Sequence, residues 1–479
     1  MPFPSFGFLL FFPCVLLCHW WLPGRSARGQ NVLLLLASLV FYGLADARAL
    51  PLLFVCALVN YATAIGLVTL VKESKRSVLF WSGIVFNIGL LAVFKYFGFF
   101  LTGVASLLNG GEGGPPDGAL PILLPLGLSF LTFQMVGYLI EVNNGDLEPE
   151  RSPLAFLTYV FFFPKILAGP VERAQHFLPR IAVRRSFDAS LVSDGFRQVL
   201  WGFFAKVVIA DNADAWLDPV FDGSGARAGS TFLLAASMYI IQLYADFSGY
   251  SNIAIGISKM LGIPLAANFA APLFATNVSE FWKRWHMSLT GWMMDYVFTP
   301  LSFLLRGLGR WGTVVSISVV FLTVGIWHGA HWAFVLLGAL QSLLFLRMAF
   351  ANALNRPTVF PDRTLLPTGK HLFRMIATFL PMMLCFVLLR TEDVGGWFRV
   401  VRGMFSSTLF SLPGQTPWPL LGMIAIYLLL EWWQRSEEHA LRFRHSALPA
   451  PVRGAICYVV AFTALWYGGA HQTFIYFQF

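Results

Sequence analysis

Long apolar runs, broken by short polar stretches, set the pattern of this chain. Phe3 to Leu22, Val32 to Leu44 and Leu52 to Val71 come first, with Arg25 and Arg28 after the first run and KESKR (72–76) after the third. Cations gather on the cytoplasmic side of membrane proteins, so the first and third connections are expected inside and the short ADARA (45–49) outside. No basic stretch precedes the first run, which therefore does not read as a cleaved signal. Val78 to Leu108 is too long for one perpendicular span and holds Lys95 in FKYFGFF, which predicts a tilted or broken helix. NGGEGGPPDG (109–118) reads as an extracytoplasmic turn before the run Leu120 to Ile140. These runs are continuous rather than alternating, so they predict helices and exclude a β-barrel.

Two apolar stretches are interrupted by Pro and Gly: FFFPKILAGPVERAQHFLP (161–179) and MLGIPLAANFAAPLFAT (260–276). Both are expected to be re-entrant or interfacial. Between them lie GFRQVLWGFFAKVVIADNAD and the run Thr231 to Ile257. An amphipathic helix is predicted from Asn277, with Glu280 three residues on as in a capping box. At helical spacing Trp282, Trp285, His286, Leu289, Met293 and Tyr296 share one face of it, opposite Lys283, Arg284 and Ser288. Val314 to Trp327, Trp332 to Phe350, Phe373 to Leu389, Pro419 to Trp432 and Ala455 to Trp466 complete the pattern. The expected fold is an all-α polytopic membrane protein, one domain over 1–479, with roughly ten to twelve transmembrane helices of about 20 residues.

Composition agrees. Of 479 residues, 12% are charged and 57% hydrophobic, against about 25% charged in a soluble domain. The net charge of +9 follows from cationic cytoplasmic loops, with room for a cytoplasmic anionic ligand. No basic stretch is long enough to track phosphates, so nucleic acid is not an expected partner. Cys14, Cys18, Cys56, Cys385 and Cys457 all lie in apolar runs without CxxC spacing and read as small hydrophobes.

Ionisable residues in or beside apolar spans are costly and mark function, and they collect between Asp246 and His331. His328, in VGIWHGAHW, is a candidate general base for an attacking hydroxyl; the other reading is a buried histidine bonded to a neighbour. His331 makes HxxH with it, yet no third ligand accompanies the pair, so no metal is expected. His286 is either catalytic or an amphipathic packing residue. Lys283 and Arg284 are either phosphate contacts for an anionic donor or cytoplasmic anchors. Asp246, in YADFSGYSN, is a ligand contact, a proton relay or the partner of a lysine such as Lys206. Asn277, Trp285 and Trp327 join Asp246 as candidate substrate contacts. GxxxxGK[ST], GxGxxG and GxSxG are all absent, which argues against ATP-driven transport and serine hydrolysis.

YADFSGYSNIAIGISKMLGI, NVSEFWKRWHMSL and GIWHGAHW together resemble the membrane-bound O-acyltransferases, in particular the alginate O-acetylase branch. FKYFGFF, PLGLSFLTFQ, FFFPKILAGPVER, AKVVIADNAD and the tail FIYFQF spread the resemblance along the chain. It implies helices around a central funnel, with His328 as the buried active-site histidine and His286 as the second. It also implies an acyl group, acetyl first, taken from a cytoplasmic thioester (acetyl-CoA or an acyl carrier) with no bound cofactor. The group is passed across the bacterial inner membrane to an extracytoplasmic acetyltransferase partner and a polysaccharide. The tail Phe474–Phe479 has the pattern F-x-Y-x-x-F, similar to the tail of the small partner peptide in the teichoic acid D-alanyl branch, which offers Tyr476 as an acyl carrier; an aromatic interface anchor is the alternative. D-alanyl transfer to teichoic acid and a polytopic lipid or sugar transporter stand as the other readings.

Overall fold

A computed structural model describes residues 2–21, 26–108 (backbone alone over 98–108), 124–222, 227–329, 331–350, 366–391, 393–414, 416–444, 448–468, 472 and 474. Among them there are helices and no strands. The chain divides into two compact units, residues 1–192 with 257–265, and residues 193–256 with 266–479.

The first unit holds α1 (Phe6–Trp21), α2 (Ala27–Asp46), α3 (Leu50–Thr69), α4 (Glu73–Leu108), α5 (Leu128–Asn144), α6 (Pro153–Phe161), α7 (Phe163–Ile166) and α8 (Ala174–Ala182). Two polar clusters inside it are paired, as a low-dielectric interior favours. Asn60 and Asn87 exchange side-chain amide bonds at 3.0 and 2.8 Å between α3 and α4. Buried Lys165 donates to Gln134 Oε1 at 2.7 Å and lies 4.3 Å over the Tyr159 ring. The stretch 161–179 is broken, with α7 and α8 separated by non-helical backbone at Pro170–Arg173. The run from Val78 is one 36-residue helix, not a broken one.

The second unit begins within α9 (Ala189–Phe203), which runs on through a π-helical turn, Phe204–Ala210, into α10 (Asp211–Phe221). It continues through α11 (Gly229–Met260) as far as residue 256, then α12 (Val278–Arg284), α13 (Met287–Met293), a second π turn over Met294–Phe298 and α14 (Thr299–Leu304). The hairpin α15 (Arg310–His328) and α16 (Trp332–Phe350) follows, then α17 (Gly369–Thr391), α18 (Val394–Met404), α19 (Trp418–Trp433) and α20 (Ala450–Trp466).

Glycines set its two tightest crossings. A Cβ on Gly202 would sit 2.5 Å from Gly249 O, and one on Gly256 would sit 2.5 Å from Gly195 O. The two pairs are each seven residues apart, so α9 and α11 run antiparallel at near backbone contact, as small residues permit between membrane helices. A Cβ on Gly325 would meet Phe334 O at 2.2 Å, and one on Gly338 would meet Phe321 O at 2.6 Å. The second crossing locks the hairpin that ends in His328.

Among the described residues, six stretches are long and apolar enough to cross a membrane: Ala27–Thr69, Glu73–Phe97, Gly229–Met260, Arg310–His328, Trp332–Phe350 and Gly369–Thr391. The first contains two 20-residue helices, α2 and α3. The expected ten to twelve spans are not all reached by length. Phe3 to Leu22, Pro419 to Trp432 and Ala455 to Trp466 fold as α1, α19 and α20, which have 16, 16 and 17 residues and fall short of the roughly 20 a perpendicular span needs.

Candidate functional site

The site is built around a helix that breaks. Asn277 caps α12, accepting from Glu280 N at 2.9 Å, and Glu280 Oε2 accepts from Thr276 N at 2.9 Å. The predicted continuous helix from Asn277 ends after seven residues. His286 stands at φ 45°, ψ 52°, in the left-handed region, and α13 starts anew at Met287. A side chain there is uncommon and costs energy unless its surroundings hold it. The surroundings are the returning segment before α12: Met287 N donates to Asn268 O at 2.8 Å, and Ala270 N donates to Arg284 O at 3.0 Å. Backbone groups that a straight helix would pair internally pair with 268–270 instead. The shared face drawn from helical spacing is therefore lost at His286.

Asn268, buried, is the residue that sequence reasoning missed. Its Oδ1 lies 3.0 Å from His286 Nδ1, and it accepts from Ser288 N at 3.3 Å and Ser288 Oγ at 2.8 Å, while its Nδ2 donates to Ser251 Oγ at 3.0 Å. The Ser288 amide can only donate, so the atom facing it is an oxygen. His286 Nδ1 must then carry the hydrogen, and the ring's lone pair sits on Nε2. Burial first, and the neighbouring His328 second, hold His286 below the usual imidazole range, in the neutral form. The edge of Phe247 closes on the His286 ring at 4.6 Å. Only one signal in the sequence pointed to Asn268: an amide within an otherwise apolar, Pro-broken stretch.

His286 and His328 line one small cavity with Trp282, Trp285, Leu289 and Gln341. Trp282, His286, Leu289, Phe321 and Val324 also line a larger chamber of about 670 Å³, in the range of small-molecule sites. Lys283 and Arg310 stand on the chamber wall with Ser279, Thr290, Ser302 and Thr313, so cations and hydroxyls share it with apolar surface. Such a site brings one imidazole, His286, to an apolar chamber with a cationic wall, and a second, His328, to the small cavity that shares residues with it. Trp282 Nε1 donates to Gln341 Oε1 at 3.1 Å and ties α12 to α16.

Other predicted residues are placed differently. Asp246 is buried and bonded to Lys206 Nζ at 2.7 Å, the lysine pairing that was one of its readings, and it does not line these two cavities. Asn277 acts as a helix cap rather than a cavity contact. Arg284 is bound by Glu280 Oε1 at 2.7 Å, which separates it from Lys283 on the chamber wall. Trp285 lines the small cavity and stacks on Phe281 at 5.4 Å. Trp327 is buried with its ring 4.9 Å from that of His328. His331 is exposed, and its carbonyl accepts from Phe334 N at the start of α16. Tyr476 lies outside the described residues.

Comparison with known proteins agrees with the motifs. Residues 149–389 match the family model of the membrane-bound O-acyltransferases. The chain is 31% identical to the probable alginate O-acetylase AlgI of Pseudomonas putida over 94% of this chain and 90% of that protein. It is 30% identical to the peptidoglycan O-acetyltransferase of Helicobacter pylori over 78% of this chain and 73% of that protein. It is also 30% identical to the teichoic acid D-alanyltransferase of Bacillus subtilis over 48% of this chain and 60% of that protein. The chain belongs to the membrane-bound O-acyltransferase family and is a multi-pass membrane O-acyltransferase.

Proposed function

We propose that this protein takes an acetyl group from a cytoplasmic thioester, acetyl-CoA or an acyl carrier. It passes that group across the bacterial inner membrane for O-acetylation of an extracytoplasmic polysaccharide, with alginate as the first candidate. An extracytoplasmic acetyltransferase is the expected partner for the last step. The observation that supports this most is the pairing of His286 and His328 on a cavity beside the 670 Å³ chamber whose wall carries Lys283 and Arg310.

In this reading His328 removes the proton from an acceptor hydroxyl as its oxygen attacks the thioester carbonyl. The C–S bond breaks, the thiolate leaves and is protonated to the thiol, and an oxygen ester remains. His286, neutral with its lone pair on Nε2, accepts a hydrogen bond that orients the hydroxyl. Tyr476 is the first acceptor. A phenol with an ordinary pKa of about 10 needs a neighbouring base to attack at neutral pH, and its ester is a better acyl donor than an alkyl ester. Tyr476→Phe keeps the apolar bulk of an interface anchor and deletes the oxygen. Polysaccharide acetylation is expected to fall at least tenfold at equal expression, and full activity would leave the tail as an anchor only.

Reconstituted vesicles test the whole reading. With radiolabelled acetyl thioester on one face, and the partner acetyltransferase and acceptor polymer on the other, label should appear on the polymer. Transfer of D-alanine in place of acetyl, or no transfer from any thioester, would overturn it. Lys283 and Arg310 are assigned to the donor's phosphates. Each charge-assisted bond is worth about 1.5–3 kcal/mol, so Lys283→Gln with Arg310→Gln should raise the apparent KM for the donor tenfold or more with kcat little changed. A fall in kcat alone would take both cations off the donor.

A further inference from the structure

The AKVVIADNAD motif is not used by the chemistry above, yet it contributes Lys206 and Asp211 to a buried cluster of three charges. Lys206 Nζ bonds Asp211 at 2.8 Å and Asp246 at 2.7 Å, and all three residues are buried. The π turn explains the first pair. In an α-helix residues five apart face about 140° away from each other; the wider π turn brings Lys206 and Asp211 to one side. The glycine crossing of α9 on α11 brings Asp246 to the same point.

An ammonium has three donors. The third reaches Gln472 O, in the segment after α20, at 3.3 Å. Six residues along the motif, Asn212 Nδ2 donates to Tyr467 O at 2.9 Å. The same segment then places Phe474, buried, on Tyr250 at 4.5 Å between ring centres and on Phe247 at 5.8 Å. Phe247 is the ring whose neighbour is His286. Two backbone carbonyls and one aromatic ring of the tail are thus held by a single motif and by the helix opposite it, and the path they mark ends one ring away from the active-site imidazole.

We propose that the π turn is a seat for the tail: Lys206 and Asn212 grip the backbone at Gln472 and Tyr467 and so hold Phe474 against Phe247, the ring beside His286. Lys206 is a positioning residue in this scheme, with Asp211 and Asp246 holding its ammonium in place. The proposal deepens the reading of Tyr476 as acyl carrier and rests on it for its functional meaning, but the seat itself is measurable without any transfer.

Because Lys206 bonds the carbonyl of Gln472, Gln472→Cys leaves the grip intact and reports on it. The reporter is placed in a chain whose five native cysteines are replaced, and its alkylation by a polar maleimide is timed in detergent. Removing Lys206 alone would strand two buried carboxylates and unfold the unit, so the test variant is Lys206→Met with Asp211→Asn and Asp246→Asn, alongside Asn212→Ala. Both should alkylate at least tenfold faster than the parent at an unchanged Tm, and kcat should fall with the donor KM unmoved. Equal alkylation rates in parent and variants would overturn the seat. Faster alkylation with undiminished polymer acetylation would uphold the seat and remove Tyr476 from the transfer.

Discussion

Exchange of His328 for alanine is expected to lower polymer acetylation by about 10² to 10⁴, the range contributed by a positioned general base, while the protein still inserts and keeps its Tm. The expectation rests on where the ring is held. His328 is the last residue of α15, half-buried, on the wall of the cavity it shares with His286. The hairpin beneath it is fixed by the Gly325 and Gly338 crossings, which do not involve the imidazole. Truncation therefore removes a base without opening the helix pair. The loss should appear equally in kcat and kcat/KM, because the proton moves only as the hydroxyl attacks. A histidine whose role was packing would give the opposite pattern: a lower Tm, with near-normal turnover in the fraction that folds. Normal acetylation by purified His328→Ala would end its assignment as the base.

How much of this was legible in the sequence depends on what range of interaction decides each feature. Helical spans are written in runs of apolar residues, because the bilayer imposes length and internal pairing on each run by itself. The break at 161–179 was legible for the same local reason, Pro164 and the Gly169–Pro170 pair. The N-cap at Asn277 was also local. What failed was the helix across Trp285–His286. Its spacing is that of an amphipathic helix, and residues 277–290 contain neither Gly nor Pro. The break is made by backbone bonds from Asn268 and Ala270, 14 to 19 residues earlier, and such pairing leaves no periodic trace. Asp246 shows the intermediate case. A lone carboxylate in an apolar run announces that it has a partner, and Lys206 was a nameable one, but the glycine register that joins them sits on two helices. Arg284 was read with Lys283 as one cationic pair because they adjoin; the i, i+4 contact to Glu280 divides them.

Replacing Asn268 should be the most damaging change outside the histidines. Its Oδ1 receives His286 Nδ1–H, Ser288 N–H and Ser288 Oγ–H, so Asn268→Ala removes the acceptor of one buried and two half-buried donors, the buried one at a cost of about 1–3 kcal/mol. It also removes the group that decides which His286 nitrogen holds the hydrogen. With the tautomer no longer set, the lone pair leaves Nε2 in a share of molecules, and the left-handed backbone at residue 286 loses a brace. Turnover is expected to drop about a hundredfold, within the range lost when a reacting group is misoriented, and the Tm in detergent should fall clearly. Two companions separate orientation from folding. Ser288→Ala deletes one donor and strands nothing, so it should keep both Tm and most of the activity. Asn268→Asp keeps an oxygen for all three donors but adds negative charge beside the ring, which favours the imidazolium and raises the His286 pKa. His286 must be neutral to accept the hydrogen bond that orients the hydroxyl, so the rising limb of the pH–rate profile should move to higher pH, with activity at neutral pH reduced and partly regained in alkaline buffer. An Asn268→Asp profile that superimposes on the parent's would show that the Asn268–His286 bond does not govern the reaction, whatever the alanine variant does to stability.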